Sequence, residues 1–167
     1  MDISALSRFF ETRKKPFSIE KNLSFGVFRA DLYAYRRFNM MGRDYVFIHF
    51  GNYVNLNPEK CLAMHEAART HVNAQYKMPR AMRFVVPNVV SVFISQDSFS
   101  EETVELALKQ KRPWQGGEVH DMFFIDSTRK EAYGPGYHKV HVDGVDFTLK
   151  KTDPTNRSIE LIKELLG

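Results

Sequence analysis

The residues best placed for metal or acid–base chemistry lie in the stretch FRADLYAYRRFNMMGRDYVFIHF, residues 28–50. Asp31 interrupts a first apolar run, His49 stands near the end of a second, and Glu20 lies on the run before them. Hard divalent cations take oxygen ligands, and an imidazole can complete the set for softer ones. Each of these residues also has a plainer reading. A carboxylate among apolar neighbours needs a donor or a cation, and Arg29, two positions away on the same strand face, meets that need for Asp31. His49 suits a half-buried strand, and Glu20 beside Lys21 suits a solvent-facing one.

Other histidines are spaced less well. His65-Glu66 and His71 are six positions apart, which turns them to different sides of a helix and fails the H-E-x-x-H pattern of zinc proteases. Cys61 and His65 share a helix face, but no third group would orient the base, so Cys61 is expected in the core. His120-Asp121 stands alone, and His138 and His141 face opposite sides of a strand. The loop Trp114-Gln115-Gly116-Gly117 offers one indole, and no glycine-rich phosphate loop or serine elbow occurs.

The elements that carry these residues are legible from capping and periodicity. Asp2 caps a first helix with Ile3, Leu6 and Phe10 at helical spacing, stopped by Arg13-Lys14-Lys15-Pro16. Phe17 and Ile19 begin a strand, and Val27–Phe38 and Tyr45–Val54 are two more around Gly42, together an antiparallel meander. Asn57-Pro58-Glu59 opens a long helix with the stripe Cys61, Met64, Ala68 and Val72. Arg83–Ser95 is strand-like, with Pro87-Asn88 expected to split it or to mark an edge. Ser100 caps a helix stapled by Phe99 and Val104. Val119–Asp126 is a buried strand, Asp143-Gly144 a hairpin turn, and Ile159, Ile162 and Leu165 or Leu166 a closing helix. The expected fold is α/β in a single domain, 1–167, with a core over 1–126 and a hairpin and helix over 137–167.

Over roughly Asp2 to Asp126 this order resembles the restriction-endonuclease-like (PD-(D/E)xK) nuclease superfamily. The segments carrying the likeness are GVFRADLYAY, with its aspartate on the second strand of the meander, and DYVFIHF, in the place of the third. The resemblance implies a site in which an aspartate and a following Glu-x-Lys hold Mg²⁺ or Mn²⁺ and position a water, the metal lowering its pKa and offsetting phosphoryl charge. Asp31 matches the aspartate. Phe47-Ile48-His49-Phe50 occupies the Glu-x-Lys position without glutamate or lysine, which leaves Glu20, Asp31 and His49 as the candidate catalytic set and Asp31 as the candidate metal ligand. A nuclease-fold protein with a degraded metal site is the reading that follows, acting as a nucleic-acid-binding or protein-interaction module. The alternative is a divergent Mg²⁺- or Mn²⁺-dependent nuclease.

The net charge of +4 permits an acidic partner without demanding one. Arg13, Lys14, Lys15, Arg36, Arg37, Arg43, Lys77, Arg80 and Arg83 lie near element ends, interleaved with Tyr33, Tyr35 and Tyr76. Arg36, Arg37, Arg43, Lys77 and Arg80 are the candidate contacts to DNA or RNA. A homodimer through an edge strand near Pro87 or through the Asp143-Gly144 hairpin is the other partner considered. A single cysteine excludes an intrachain disulfide, and MDISALSRFF lacks the apolar run of a secretory signal. No run of about 18 apolar residues exists, so no membrane partner and a cytoplasmic setting are expected.

Overall fold

The computed structural model describes residues 2–52, 54–79, 82–110, 118–129, 131–135, 140–141 and 156–166. Helix α1, Ile3–Glu11, begins where Asp2 Oδ1 accepts the Ala5 N–H at 2.8 Å. Strands β1 (Ser18–Phe25), β2 (Phe28–Arg37) and β3 (Gly42–Gly51) form the expected antiparallel meander. The turn from β1 to β2 needs Gly26, whose φ of +60° is the left-handed region that side-chain-bearing residues rarely adopt. After β3, α2 (Pro58–Ala74) is capped by Asn57, whose Oδ1 accepts the Lys60 N–H at 2.9 Å. It returns the chain to β4 (Val86–Ser95), parallel to β3. Ser100 caps α3 (Glu101–Leu108), and β5 (Val119–Asp126) runs parallel to β4. β6 (Glu131–Tyr133) and β7 (Val140–His141) add antiparallel pairs, and α4 (Asn156–Leu166) closes the chain.

The strands lie in the sheet in the order of the chain, β1 to β7, so β1 is outermost. Strand alternation divides the core into two layers. Leu32, Val46, Ile48, Val90 and Val92 meet Leu6 and Phe10 of α1 and Ile159 and Ile162 of α4 on one face. On the other, Phe93 and Phe124 meet Cys61 and Met64 of α2, while Phe47 and Val89 meet Ala68 and Val72. The stripe read from the sequence is thus the buried face of α2. The chain is α/β with a mixed sheet between helices, and among the described residues no helix is long and apolar enough to cross a membrane.

Two expectations change. β4 is one continuous strand in the middle of the sheet, and Pro87 neither splits it nor marks an edge. The Val86 N–H donates to the Met41 carbonyl at 2.7 Å, towards β3, so the next amide position points to the β5 side. Pairing with β5 begins only at Asn88↔Val119, so the proline removes no ladder bond. An edge at Pro87 for dimerisation therefore does not exist. β6, too short and polar to read beforehand, pairs with both β5 and β7, and the Asp143-Gly144 turn lies outside the described residues.

Polar residues continue the apolar rows on the α1 and α4 face. Arg36 Nε donates to Asp44 Oδ2 at 2.8 Å, and the Asn88 side chain donates to Asp44 Oδ1 at 3.2 Å. Ser158 Oγ on α4 donates to Asn88 Oδ1 at 2.9 Å. The Arg36 guanidinium lies 4.3 Å from the Phe17 ring centroid and 5.1 Å from that of Phe38. This chain joins β2, β3, β4 and α4 where all four are shielded from water. Asp44→Ala, which leaves the arginine buried without that carboxylate, is expected to lower the unfolding free energy by about 3–5 kcal/mol. The double variant Arg36→Met with Asp44→Leu should recover most of that loss in chemical denaturation. Equal losses in the single and double variants would show the pair to be energetically idle.

Candidate functional site

Asp31 and His49 lie directly across from each other. The register pairs Leu32 with Ile48, so the preceding residue of β2 faces the following residue of β3, and both side chains point to the α2 layer. Between them, the start of α2 and the loop that feeds it lies a cavity of about 290 Å³, lined among others by Asp31, His49, Asn55, Leu56, Lys60 and Met64. The loop can close because Gly51 has no side chain; a Cβ there would meet Leu56 at 2.9 Å. The cavity stands at the carboxyl end of β3, where the chain passes from antiparallel to parallel pairing, a place where α/β sheets commonly leave a crevice.

The Asp31 carboxylate accepts the Phe50 N–H through Oδ2 at 2.7 Å; among the described residues no ion pair joins it to Arg29. His49 is 1 % exposed, stacked on Phe93 with ring centroids 5.1 Å apart. Neither ring nitrogen has a hydrogen-bond partner among the described residues; the Arg29 carbonyl is close enough to favour a proton there but lies outside bonding geometry. Burial pushes the His49 pKa down to about 4, against the opposing pull of the Asp31 charge, so the ring is neutral at pH 7. Glu20 is exposed, pairs across from Tyr33 one step further along, and does not line the cavity. Among the described residues no three His, Cys, Asp or Glu side chains come together as a metal site. Lys60, which the sequence reading passed over, brings an ammonium to this cavity.

The cationic candidates gather at the opposite end of the sheet, where β2 ends and β3 and β4 begin. Arg36 is buried against Asp44, so its charge faces that carboxylate rather than solvent. Arg37 and Arg43 donate to the Asn39 carbonyl at 3.3 and 3.0 Å, bracing a turn whose Asn39 side chain also accepts the Met41 N–H at 2.9 Å. Lys77 is exposed just beyond α2, and Arg80 lies outside the described residues. Arg83 places its guanidinium 4.6 Å from the Tyr76 ring and donates to the Met78 carbonyl and the Asn73 side chain. Tyr76 and Tyr45 share a hydrogen bond of 2.8 Å between hydroxyls, and Tyr45 packs on Tyr35 at 5.0 Å. Burial raises the Tyr33 pKa to about 12 and those of Tyr45 and Tyr76 as well, so these hydroxyls remain protonated.

His65, His71 and His120 lie in packed or hydrogen-bonded positions. His65 is fully enclosed, its Nδ1 2.8 Å from Ser91 Oγ and its Nε2 3.1 Å from His120 Nδ1. His71 instead faces the rings of Phe25, Tyr33 and Phe47, so the two helix histidines do point apart. Cys61 is buried and its thiol is pushed up to about 12, far from the range of a nucleophilic thiolate. Trp114–Gly117 and His138 lie outside the described residues. No family model, no curated protein and no solved structure matches the chain.

The two enclosed imidazoles make stability depend on acid. The unfolded chain takes up a proton at His49 near pH 6.5, whereas the folded chain refuses it down to about pH 4. Between those values the unfolded state binds more protons, so stability is complete above the upper limit and falls as pH drops. His65, whose pKa burial and His120 also depress, acts in the same direction. His49→Phe is expected to remove on the order of 2–3 kcal/mol of the loss between about pH 7 and pH 4.5, read by chemical denaturation at both values. An unchanged pH dependence would mean that His49 accepts a proton in the folded state.

Proposed function

We propose that this chain is a nucleic-acid-binding module built on a nuclease-type scaffold whose metal site is degraded. The observation that carries this reading is the grouping of Arg37, Arg43, Lys77 and Arg83 with the half-buried Tyr35 and Tyr76 at one end of the sheet, away from Asp31, above the buried Tyr45. Cations meet phosphates by releasing counterions, and Tyr35 and Tyr76 beside them supply ring faces. Arg36, held by Asp44, supports the layer beneath and is no part of the proposed surface.

A second reading, a divergent metal-dependent nuclease, draws on the cavity shared by Asp31, His49 and Lys60. Asp31 and His49 would hold the ion there, and the ion would supply an acidified water. One carboxylate and one neutral imidazole fit Mn²⁺ better than Mg²⁺, which favours oxygen ligands in a strict octahedron. A protein partner or a second copy of the chain is the remaining possibility for the cationic end.

Fluorescence anisotropy with labelled DNA and RNA tests the binding. The logarithm of the affinity is expected to fall linearly with the logarithm of salt concentration, and Arg43→Gln with Lys77→Gln should reduce the slope by about two. No binding at low salt would end the nucleic-acid reading and leave the protein partner. Incubating the same substrates with Mg²⁺ or Mn²⁺ tests the second reading through Asp31→Ala. Cleavage unaffected by that change, or no cleavage at all, removes it.

A further inference from the structure

The cationic end carries a feature that phosphate contact does not use. Phe84 is 80 % exposed and is the one exposed phenylalanine among the described residues, the others being buried or half-buried. Met40, Met41 and Met82 beside it are 81 %, 55 % and 61 % exposed. They arise from two adjoining segments, the 39–42 turn and the approach to β4, tied together where the Val86 N–H meets the Met41 carbonyl. The Arg43 guanidinium lies on this turn, donating to the Asn39 and Gly42 carbonyls at 3.0 Å each, and the charges of Arg43 and Arg83 both act on Tyr76.

We infer, resting on the nucleic-acid reading above, that this surface takes single-stranded rather than duplex nucleic acid, with Phe84 as the platform on which a base stacks. An aromatic ring standing out among cations is costly in water and is relieved by a flat, apolar face attached to a negative backbone. A single strand offers such a face at every base. In a duplex the base faces are closed against one another, and the groove edges present hydrogen-bonding groups that Phe84 and three methionines do not match. The methionine side chains, unbranched and polarizable, adapt to any base, so the surface discriminates strandedness and not sequence.

The test compares anisotropy titrations of a labelled single strand and the same strand annealed to its complement, for wild type, Phe84→Ala and Phe84→Trp. Wild type is expected to bind the single strand more tightly. Phe84→Ala should weaken that binding on the order of ten-fold, leave the salt slope unchanged, and leave duplex binding as it was. Phe84→Trp should restore the affinity. Equal affinity for both forms, or no effect of Phe84→Ala while salt-dependent binding persists, overturns this inference and leaves the nucleic-acid reading intact. Absence of binding to either form overturns both. Phe84-dependent binding of an acidic amphipathic peptide, with no oligonucleotide bound, reassigns the surface to a protein partner.

Discussion

The buried pair between Arg36 and Asp44 is the constraint around which the rest is arranged. A charge withdrawn from water costs several kcal/mol unless it is met, and here it is met by a carboxylate, a backbone carbonyl and two aromatic faces. The pair fixes the register of β2 on β3, because a slip of one residue would turn Arg36 to the α2 layer and Asp44 away from it. Through Asn88 and Ser158 the same network fixes β4 beside β3 and seats α4 against the sheet. A helix far along the chain is thereby held to the first meander by hydrogen bonds that have direction, where apolar packing alone would let it slide.

That arrangement separates two chemical environments. At the carboxyl ends of the parallel strands, a neutral imidazole, a carboxylate and an ammonium line a small cavity. At the other end, the Arg83 guanidinium rests on the Tyr76 ring, and Arg37 and Arg43 brace an exposed turn. The sheet, filled by the buried Phe47, Phe93 and Phe124, lies between the two ends. Their separation follows from strand direction: in antiparallel β2 and β3, Asp31 comes early and Arg37 late, while His49 comes late and Arg43 early.

Local chemistry in the sequence foretold much of this. Asp2, Asn57 and Ser100 cap the helices they were expected to cap, since a side chain three residues from its amide needs nothing distant. Period-two alternation assigns Asp31 and His49 each to a strand face, while their opposition depends on the register of β2 on β3. What local reasoning missed depended on neighbours. A proline inside an apolar run signals a break, yet the missing N–H of Pro87 has no consequence because pairing with β5 starts one residue later. Arg36 looked like a surface cation at a strand end, yet it continues the inward row of Leu32 and Ala34, as Asp44 continues that of Val46 and Ile48. Reading the row rather than the residue would have paired them. Lys60 joined the cavity only once β3 and α2 were folded around Gly51, a contact that spacing does not express.

The outermost strand carries its own protection. Among the described residues β1 has β2 on one side only, and a strand with a free side invites other chains to add to it. Midway along it, Asn22 adopts a φ of +58°, a left-handed kink beside the charge of Lys21. A visiting strand would have to copy that kink and lie against an ammonium, so the irregularity works as a guard against edge-to-edge aggregation and keeps the meander from becoming a template.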